Sequence, residues 1–548
     1  ALMLEETPWV IQGQNETERK KRVGLLFDLL RMSSELDRAM TKLEKMQVSN
    51  GGFPWFDGMP DSRWITQHIV CGIGHLKKLG VYPTPNPSPQ GGELTPSQKG
   101  RAGVGSITAK AIPYLDARIK EDYDRLVKYC KENKLKLEEQ RAGTDVIHYL
   151  YTRSFFVEME IASSSKEAVS YYLGQVRKYW LENGIYMQGM ISLASHRFDT
   201  GNLADKNKEK VAVSILNSLK EKALHHEELG MYWKDMMNGY YWYQAPIETQ
   251  ALLIEAFSEI TPPPAPPLLG GEKNSPSQKE RGLGGEVNSL VDEMKIWLLK
   301  QKQTQDWKTT KATTEACYAL LLQGTDWLAD SKLAEVTVGK EKITEESLKM
   351  KGIQPDAGTG YFKTSWSGSE ITPEMGKITV TNPNNVVAWG GMYWQYFEQL
   401  DKITSAETPL KINKQLFLQK NTDKGLELSP LTDKNVLKVG DLVKVRIEIR
   451  VDRAMEYVHL KDMRASCFEP VNVLSGYRYQ GGLGYYEATK DASTNFFIGW
   501  LPQGTYVFEY PLRVTHEGNF SNGITSIQCM YAPEFSSHSE GIRVEVGK

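Results

Sequence analysis

Two stretches of this chain bring acidic and imidazole side chains close enough together to suggest chemistry. His225-His226-Glu227-Glu228 offers ligand types that a zinc-like ion accepts. Adjacent residues on a helix point about 100° apart, so at most two of the four reach one ion. A polar helix end accounts for them better. Glu121-Asp122-Tyr123-Asp124 resembles an acidic motif that binds diphosphate-bound Mg2+, but Lys120 and Arg125 flank it and mark a solvated charged stretch. Neither motif predicts a metal or a cofactor. No phosphate-cradling glycine loop precedes a helix, and no nucleophile elbow occurs.

A third constellation is aromatic. Tyr232, Trp233, Tyr240, Tyr241, Trp242 and Tyr243 fall within a dozen positions. Tyr and Trp present flat apolar area with a polar tip, suited to a sugar ring or a protein partner. The same residues can instead seal the end of a ring of helices. Five cysteines, Cys71, Cys130, Cys317, Cys467 and Cys529, have no metal-ligand spacing. The first three fall in helical patterns as small apolar fillers. Cys467 and Cys529 lie in a β-rich region, where pairing depends on whether their strands are neighbours.

The elements that position these residues recur. An aromatic Gly/Trp turn precedes a helix three times: Gly51-Gly52-Phe53-Pro54-Trp55 before Trp64-Ile65-Thr66, Met231-Tyr232-Trp233 to Trp242-Tyr243 before Ile247-Glu248-Thr249, and Asp306-Trp307 before Thr313-Thr314-Glu315. Such units stack because none buries its apolar face alone. Leu25, Leu29, Met32, Leu36, Met40 and Leu43 step by three and four through residues 22–46, and Val211, Ile215 and Leu219 do so later. Residues 62–80, 145–160, 167–182, 247–260 and 312–328 share that period. Ten or so helices follow, with no strand expected among them. Residues 82–104 and 261–286 hold eleven of the 25 prolines and share the phrase Gly-Gly-Glu followed by Pro-Ser-Gln-Lys, so they read as inserted loops.

Beyond about residue 331 the period becomes two. Val443, Val445, Ile447, Ile449 and Val451 alternate with charged residues, and Tyr506, Phe508, Tyr510, Leu512 and Val514 repeat the scheme. Gly481, Gly482 and Gly484 mark a corner where the chain reverses. The expected fold is multidomain α plus β: a helical ring over 1–330, a small β module over 331–405 containing Ile378, Val380 and the aromatics Trp389, Tyr393, Trp394, Tyr396 and Phe397, and an antiparallel β-sandwich over 406–548.

Lys+Arg 66 against Asp+Glu 68 leaves a formal net charge of -2, which excludes a broad nucleic-acid surface. The chain opens at Ala1 without an apolar leader or a run of 18 apolar residues, and reads as a soluble piece of something longer. A helical ring followed by a β-sandwich also occurs in polysaccharide lyases, where Tyr, His and Arg abstract and return a proton. Tyr240, His196 and Arg197 would take those parts, an expectation resting on fold analogy.

The residues resemble those of the bacterial alpha-2-macroglobulins over nearly the whole chain. Gly499-Trp500-Leu501-Pro502-Gln503-Gly504-Thr505, Tyr510-Pro511-Leu512-Arg513-Val514 and Met530-Tyr531-Ala532-Pro533-Glu534 resemble the terminal macroglobulin domain, supported by Asp452-Arg453-Ala454-Met455-Glu456-Tyr457-Val458. Asn50-Gly51-Gly52-Phe53-Pro54-Trp55 and Trp64-Ile65-Thr66 are similar to the thioester domain, an α/α toroid, with residues 331–405 a CUB-like part. The resemblance implies a periplasmic or cell-envelope protease trap rather than an enzyme, with target proteases as partners of a longer parent for which a membrane anchor is one expected form. In such traps Cys-x-Glu-Gln forms a thioester; this chain contains no such motif. The resemblance places Trp55, Met530 and Tyr531 where apolar side chains shield that bond.

Overall fold

The computed structural model describes residues 29–80, 96–200, 209–236, 245–260, 283–322, 333–355, 361–383, 390–400, 402–423, 425–432 and 436–548. They form two compact units: residues 1–298 with 308–387, and residues 299–307 with 388–548. The boundary between these units, after residue 387, falls within the segment 331–405.

Ten described helices precede residue 331. They are α1 (Leu29–Met46), α2 (Arg63–Lys78), α3 (Pro96–Asn133), α4 (Thr144–Ser154), α5 (Ser163–Lys178), α6 (Ile185–Thr200), α7 (Glu209–Lys222), α8 (Pro246–Glu259), α9 (Leu283–Thr304) and α10 (Thr310–Leu321). Their starts follow local chemistry. The Ser62 hydroxyl caps α2 by accepting from the Ile65 amide, the Thr309 hydroxyl caps α10 by accepting from Ala312, and Pro246 opens α8 where no amide donor is needed. Gly74 lets α2 approach Phe155, whose ring would lie 2.5 Å from an added Cβ.

Two expectations change here. Helix α3 begins at Pro96, inside the segment read as loop, and carries Pro113 within it. Short antiparallel pairs also interrupt the helices: β1 (Phe53–Pro54) with β2 (Asp61–Ser62), and β3 (Leu224–His226) with β4 (Gly230–Tyr232). Strands of two or three residues leave too few positions for an alternation to show in sequence.

Gly51 has a φ of 93°, and a Cβ on it would fall 2.2 Å from the Lys110 carbonyl oxygen. Both the left-handed backbone and the close approach require glycine. Gly51→Ala is expected to cost about 1–3 kcal/mol, read as a lower unfolding midpoint, whereas Gly58→Ala meets no neighbour and pays only for its positive φ.

The first unit also contains β5 (Glu335–Val338), β6 (Glu341–Ile343), α11 (Glu345–Met350) and β7 (Ile378–Thr381). The strands form an antiparallel sheet in the order β6-β5-β7. Val338, Ile343, Leu348 and Met375 make its small core. β7 is an edge strand with all four residues exposed.

In the second unit, β8 (Leu410–Thr422), β9 (Gly425–Pro430), β10 (Val436–Lys438), β11 (Leu442–Val451), β12 (Met455–Met463), β13 (Phe468–Pro470), β14 (Gly476–Gln480), β15 (Leu483–Lys490), β16 (Ser493–Leu501), β17 (Gly504–Val514), β18 (Gly518–Gly523), β19 (Thr525–Cys529), β20 (Ser536–His538) and β21 (Ile542–Gly547) follow in turn. They make sheets in the orders β13-β17-β11-β8-β9, β14-β15-β16-β12-β19-β20 and β10-β21-β18. Pairing is antiparallel except between β10 and β21. Val443, Val445, Ile447 and Ile449 of the five-stranded sheet share one core with Val458, Leu460, Phe496 and Ile498 of the six-stranded sheet. Gly481 and Gly482, with φ of 60° and 80°, turn β14 into β15.

Cys467 and Cys529 are buried in that core, and all five cysteines carry free thiols, Cys317 at an exposed position. Burial raises the Cys467 thiol to about 11, so both thiols act as apolar filler. Residues 390–399 belong to no strand, and Tyr393, Trp394, Tyr396 and Phe397 are exposed. Trp389 lies outside the described residues.

Candidate functional site

The acidic and imidazole motifs are bound up in local contacts. His225 and His226 sit on β3 rather than at a helix end. His225 Nδ1 lies 2.8 Å from Glu293, and His226 Nδ1 accepts from the Glu228 and Leu229 amides at 3.1 Å. On α3, Asp122 pairs with Arg63 and Arg125, Asp124 pairs with Lys120, and the Tyr123 hydroxyl donates to Glu167 at 2.9 Å. Among the described residues no group of three His, Cys, Asp or Glu is arranged to hold a metal ion.

The densest polar cluster is one that the sequence reading missed. Glu255 of α8 is buried and accepts from the hydroxyls of Tyr151 and Tyr318 and from the Arg197 guanidinium. Arg197 also donates to Glu259 through Nε at 2.9 Å and Nη2 at 2.7 Å, and lies 4.0 Å from the centre of the Phe155 ring. The single Tyr151 hydroxyl proton goes to Glu255, so His75 Nε2, 2.9 Å away, must be the donor in that pair. The His75 ring stacks on Tyr318 at 3.9 Å, and Cys71 Sγ lies 3.6 Å from Nε2. Side chains from α4, α6 and α10 thus meet at one carboxylate of α8, with His75 of α2 set against both tyrosines.

Electrostatics makes this cluster a clamp. Burial opposes charge on Glu259, but hydrogen bonds and charge from Arg197, with Lys78, outweigh it and bring the carboxyl to about 2. Burial and the nearby Glu315 and Glu255 charges drive the Cys71 thiol well above its ordinary value, so it is no nucleophile. Arg197 has no open face for a ligand, which removes it from the proton-transfer role expected by analogy. His196 is part-buried on the same helix, and Tyr240 lies outside the described residues.

A second feature is an aromatic ladder. Trp55 stacks on Trp64 at 5.1 Å and 8°, Trp64 packs on His68 at 3.9 Å, and His68 packs on His148 at 4.4 Å. The Gln67 amide donates to His148 Nδ1 at 3.0 Å. Trp55, at 54% exposed, is the open end. Burial lowers His68 to about 4, against the opposing hydrogen bond to the Trp64 carbonyl. Its unfolded form takes up a proton near pH 6.5, so acid favours unfolding. The stabilisation is complete above about pH 6.5 and is lost as the pH falls towards 4. His68→Gln is expected to flatten the unfolding midpoint of the helical unit across that window. A slope equal to that of the parent sequence would remove His68 as its source.

In the second unit, Met530 is 48% exposed, and its amide donates to the Tyr457 carbonyl at 2.9 Å. The part-buried Tyr531 ring stands edge-on to Tyr457 at 5.3 Å, and Tyr457 itself has a φ of 55°. Trp55 belongs to the first unit. Of the other aromatics, Trp233 is buried with Nε1 donating to the Leu219 carbonyl at 2.8 Å, which leaves its ring no face for a ligand. Tyr232 is part-buried and packs on Trp297 at 6.1 Å. Tyr241, Trp242 and Tyr243, like Tyr240, lie outside the described residues.

Residues 410–534 match the family described as Bacterial Alpha-2-macroglobulin MG10 domain. Among solved structures, trypsin-activated alpha-2-macroglobulin from Escherichia coli is similar at 12% identity over 93% of this chain and 29% of that one, with a TM-score of 0.37. A Salmonella alpha-2-macroglobulin reacted with methylamine matches at 13% identity, 92% and 27% coverage, and a TM-score of 0.28. The native Escherichia coli protein from domain MG7 to its C-terminus matches at 11% identity, 94% and 68% coverage, and a TM-score of 0.30. This chain thus spans about 29% of the length of the trypsin-activated structure it matches. No curated protein matches it in sequence.

Proposed function

Because residues 410–534 match the bacterial alpha-2-macroglobulin MG10 domain, we propose that this chain is part of a protease trap of that family and not itself an enzyme. The MG10 match carries this reading. In it, the helices before residue 331 form the toroidal thioester domain, residues 331–405 the CUB-like part, and residues 406–548 the terminal β-sandwich.

Trp55, Met530 and Tyr531 act as apolar shields over a thioester supplied from outside this sequence, which has no Cys-x-Glu-Gln. A strained acyl bond survives only where water is excluded, and Trp, Met and Tyr offer broad, adaptable cover. The exposure of Trp55 and Met530 supports the reading, because a side chain engaged in its own core would not be half open. Target proteases are the partners, and cleavage of a bait elsewhere in the parent releases the stored strain. The compartment is the periplasm or cell envelope. No described helix is long and apolar enough to cross a membrane.

Incubating the full-length parent with a protease, with and without methylamine, tests the proposal. The trap requires a mobility shift or covalent adduct after cleavage; unaltered migration with free protease activity would reject it. Trp55→Ala in that parent is expected to change stability by less than about 0.5 kcal/mol, since the ring is largely exposed. It should raise spontaneous methylamine uptake several-fold. Uptake unchanged from the parent protein would remove Trp55 from the shield.

A further inference from the structure

The second unit buries a lysine and an aspartate where its two main sheets should be apolar. On β8, Leu410, Ile412, Lys414 and Leu416 face inward; on β12, Val458, Leu460 and Asp462 do. Lys414 belongs to the five-stranded sheet and Asp462 to the six-stranded one. Lys414 Nζ lies 2.6 Å from Asp462 Oδ1, with side chains 0% and 1% exposed. The ammonium also donates to the Met463 carbonyl at 2.8 Å. The Thr525 hydroxyl donates to Oδ1 and the Tyr510 hydroxyl to Oδ2. Their neighbours along the strands, Ile412 and Leu416 on β8 and Leu460 on β12, belong to the shared apolar core.

We propose that Lys414 and Asp462 condense to an intramolecular isopeptide bond that ties β8 to β12. Three features of the pair suit it to the reaction. The amine is held 2.6 Å from one oxygen of the carboxyl group it must attack. Reaction requires one ammonium proton to pass to the carboxylate, and the 2.6 Å contact gives that proton a direct path. Tyr510, kept protonated by burial and the Asp462 charge, supplies a neutral donor to the oxygen that becomes the amide carbonyl.

In the step itself the Nζ lone pair forms a bond to Cγ, and the Cγ–Oδ1 bond breaks. Oδ1 leaves as water, carrying two of the three ammonium hydrogens, and the third stays on the amide nitrogen. No oxidant or co-reactant is consumed. Both buried charges disappear, so the desolvation penalty of the ion pair is relieved. The link is independent of whether the parent is a trap.

Intact-mass spectrometry of the full chain tests this directly. The expected mass is lower than the sequence mass by one water, and digestion should give a branched peptide joining the segments around Lys414 and Asp462. Lys414→Met, which preserves the aliphatic stem, should restore the full sequence mass. Tyr510→Phe should leave a larger unlinked fraction. A wild-type mass equal to the sequence mass would overturn the proposal and leave a buried ion pair. A water loss that maps to any other residues, or that persists in Lys414→Met, would overturn it equally.

Discussion

Replacing Glu255 with alanine is expected to cost the helical unit about 3–5 kcal/mol, because it leaves a buried guanidinium without one of its two carboxylates. The Tyr151 and Tyr318 hydroxyls lose their acceptor in the same change. Glu255→Gln should cost less. The amide oxygen still accepts from one of the two tyrosines, and Glu259 still holds Arg197 by two hydrogen bonds. Hydrogen exchange over α6 and α8 is the appropriate measurement. Protection lost in the alanine variant and largely retained with glutamine would confirm the clamp; identical protection in both would refute it.

The second large effect belongs to the β-rich unit. Phe496 is 1% exposed, and its ring meets Phe508 at 4.9 Å, Tyr485 at 5.5 Å and Tyr510 at 5.6 Å. Phe496→Ala removes all three aromatic contacts and opens a cavity lined from both sheets, so a loss of about 3–5 kcal/mol is expected. Phe497, next along β16, provides the control. It points to the opposite face and stacks on His459, so its truncation should cost clearly less. Denaturant unfolding of the two variants separates core packing from strand propensity, and equal losses would contradict the assigned faces.

How much of this was legible in the sequence depended on length and period. Val443 to Val451 announced β11 because one face is buried and the other wet, and Tyr506 to Val514 announced β17 for the same reason. The reversal at Gly481 was legible because positive φ at two successive positions calls for glycine. The apolar stripes at 62–80 and 247–260 became α2 and α8 within a residue or two.

The Glu255 cluster was not legible, because its members lie as far apart as Cys71 and Tyr318 and meet only through packing. One local signal existed. Glu255 follows Leu252-Leu253-Ile254 and precedes Ala256-Phe257, a carboxylate inside an apolar run that needed a buried partner. Lys414, one inward position after Ile412, carried a similar hint. His225 and His226 misled because a hairpin of two three-residue strands has no period to read.

The strand Ile378-Thr379-Val380-Thr381 has a practical consequence for anyone purifying this chain. Its four residues include no charge, proline or bulge, so it offers a sticky template to any stray extended segment. Concentrated preparations are expected to associate through it, and a lysine at Val380, already 62% exposed, is expected to keep them dispersed, as light scattering would show.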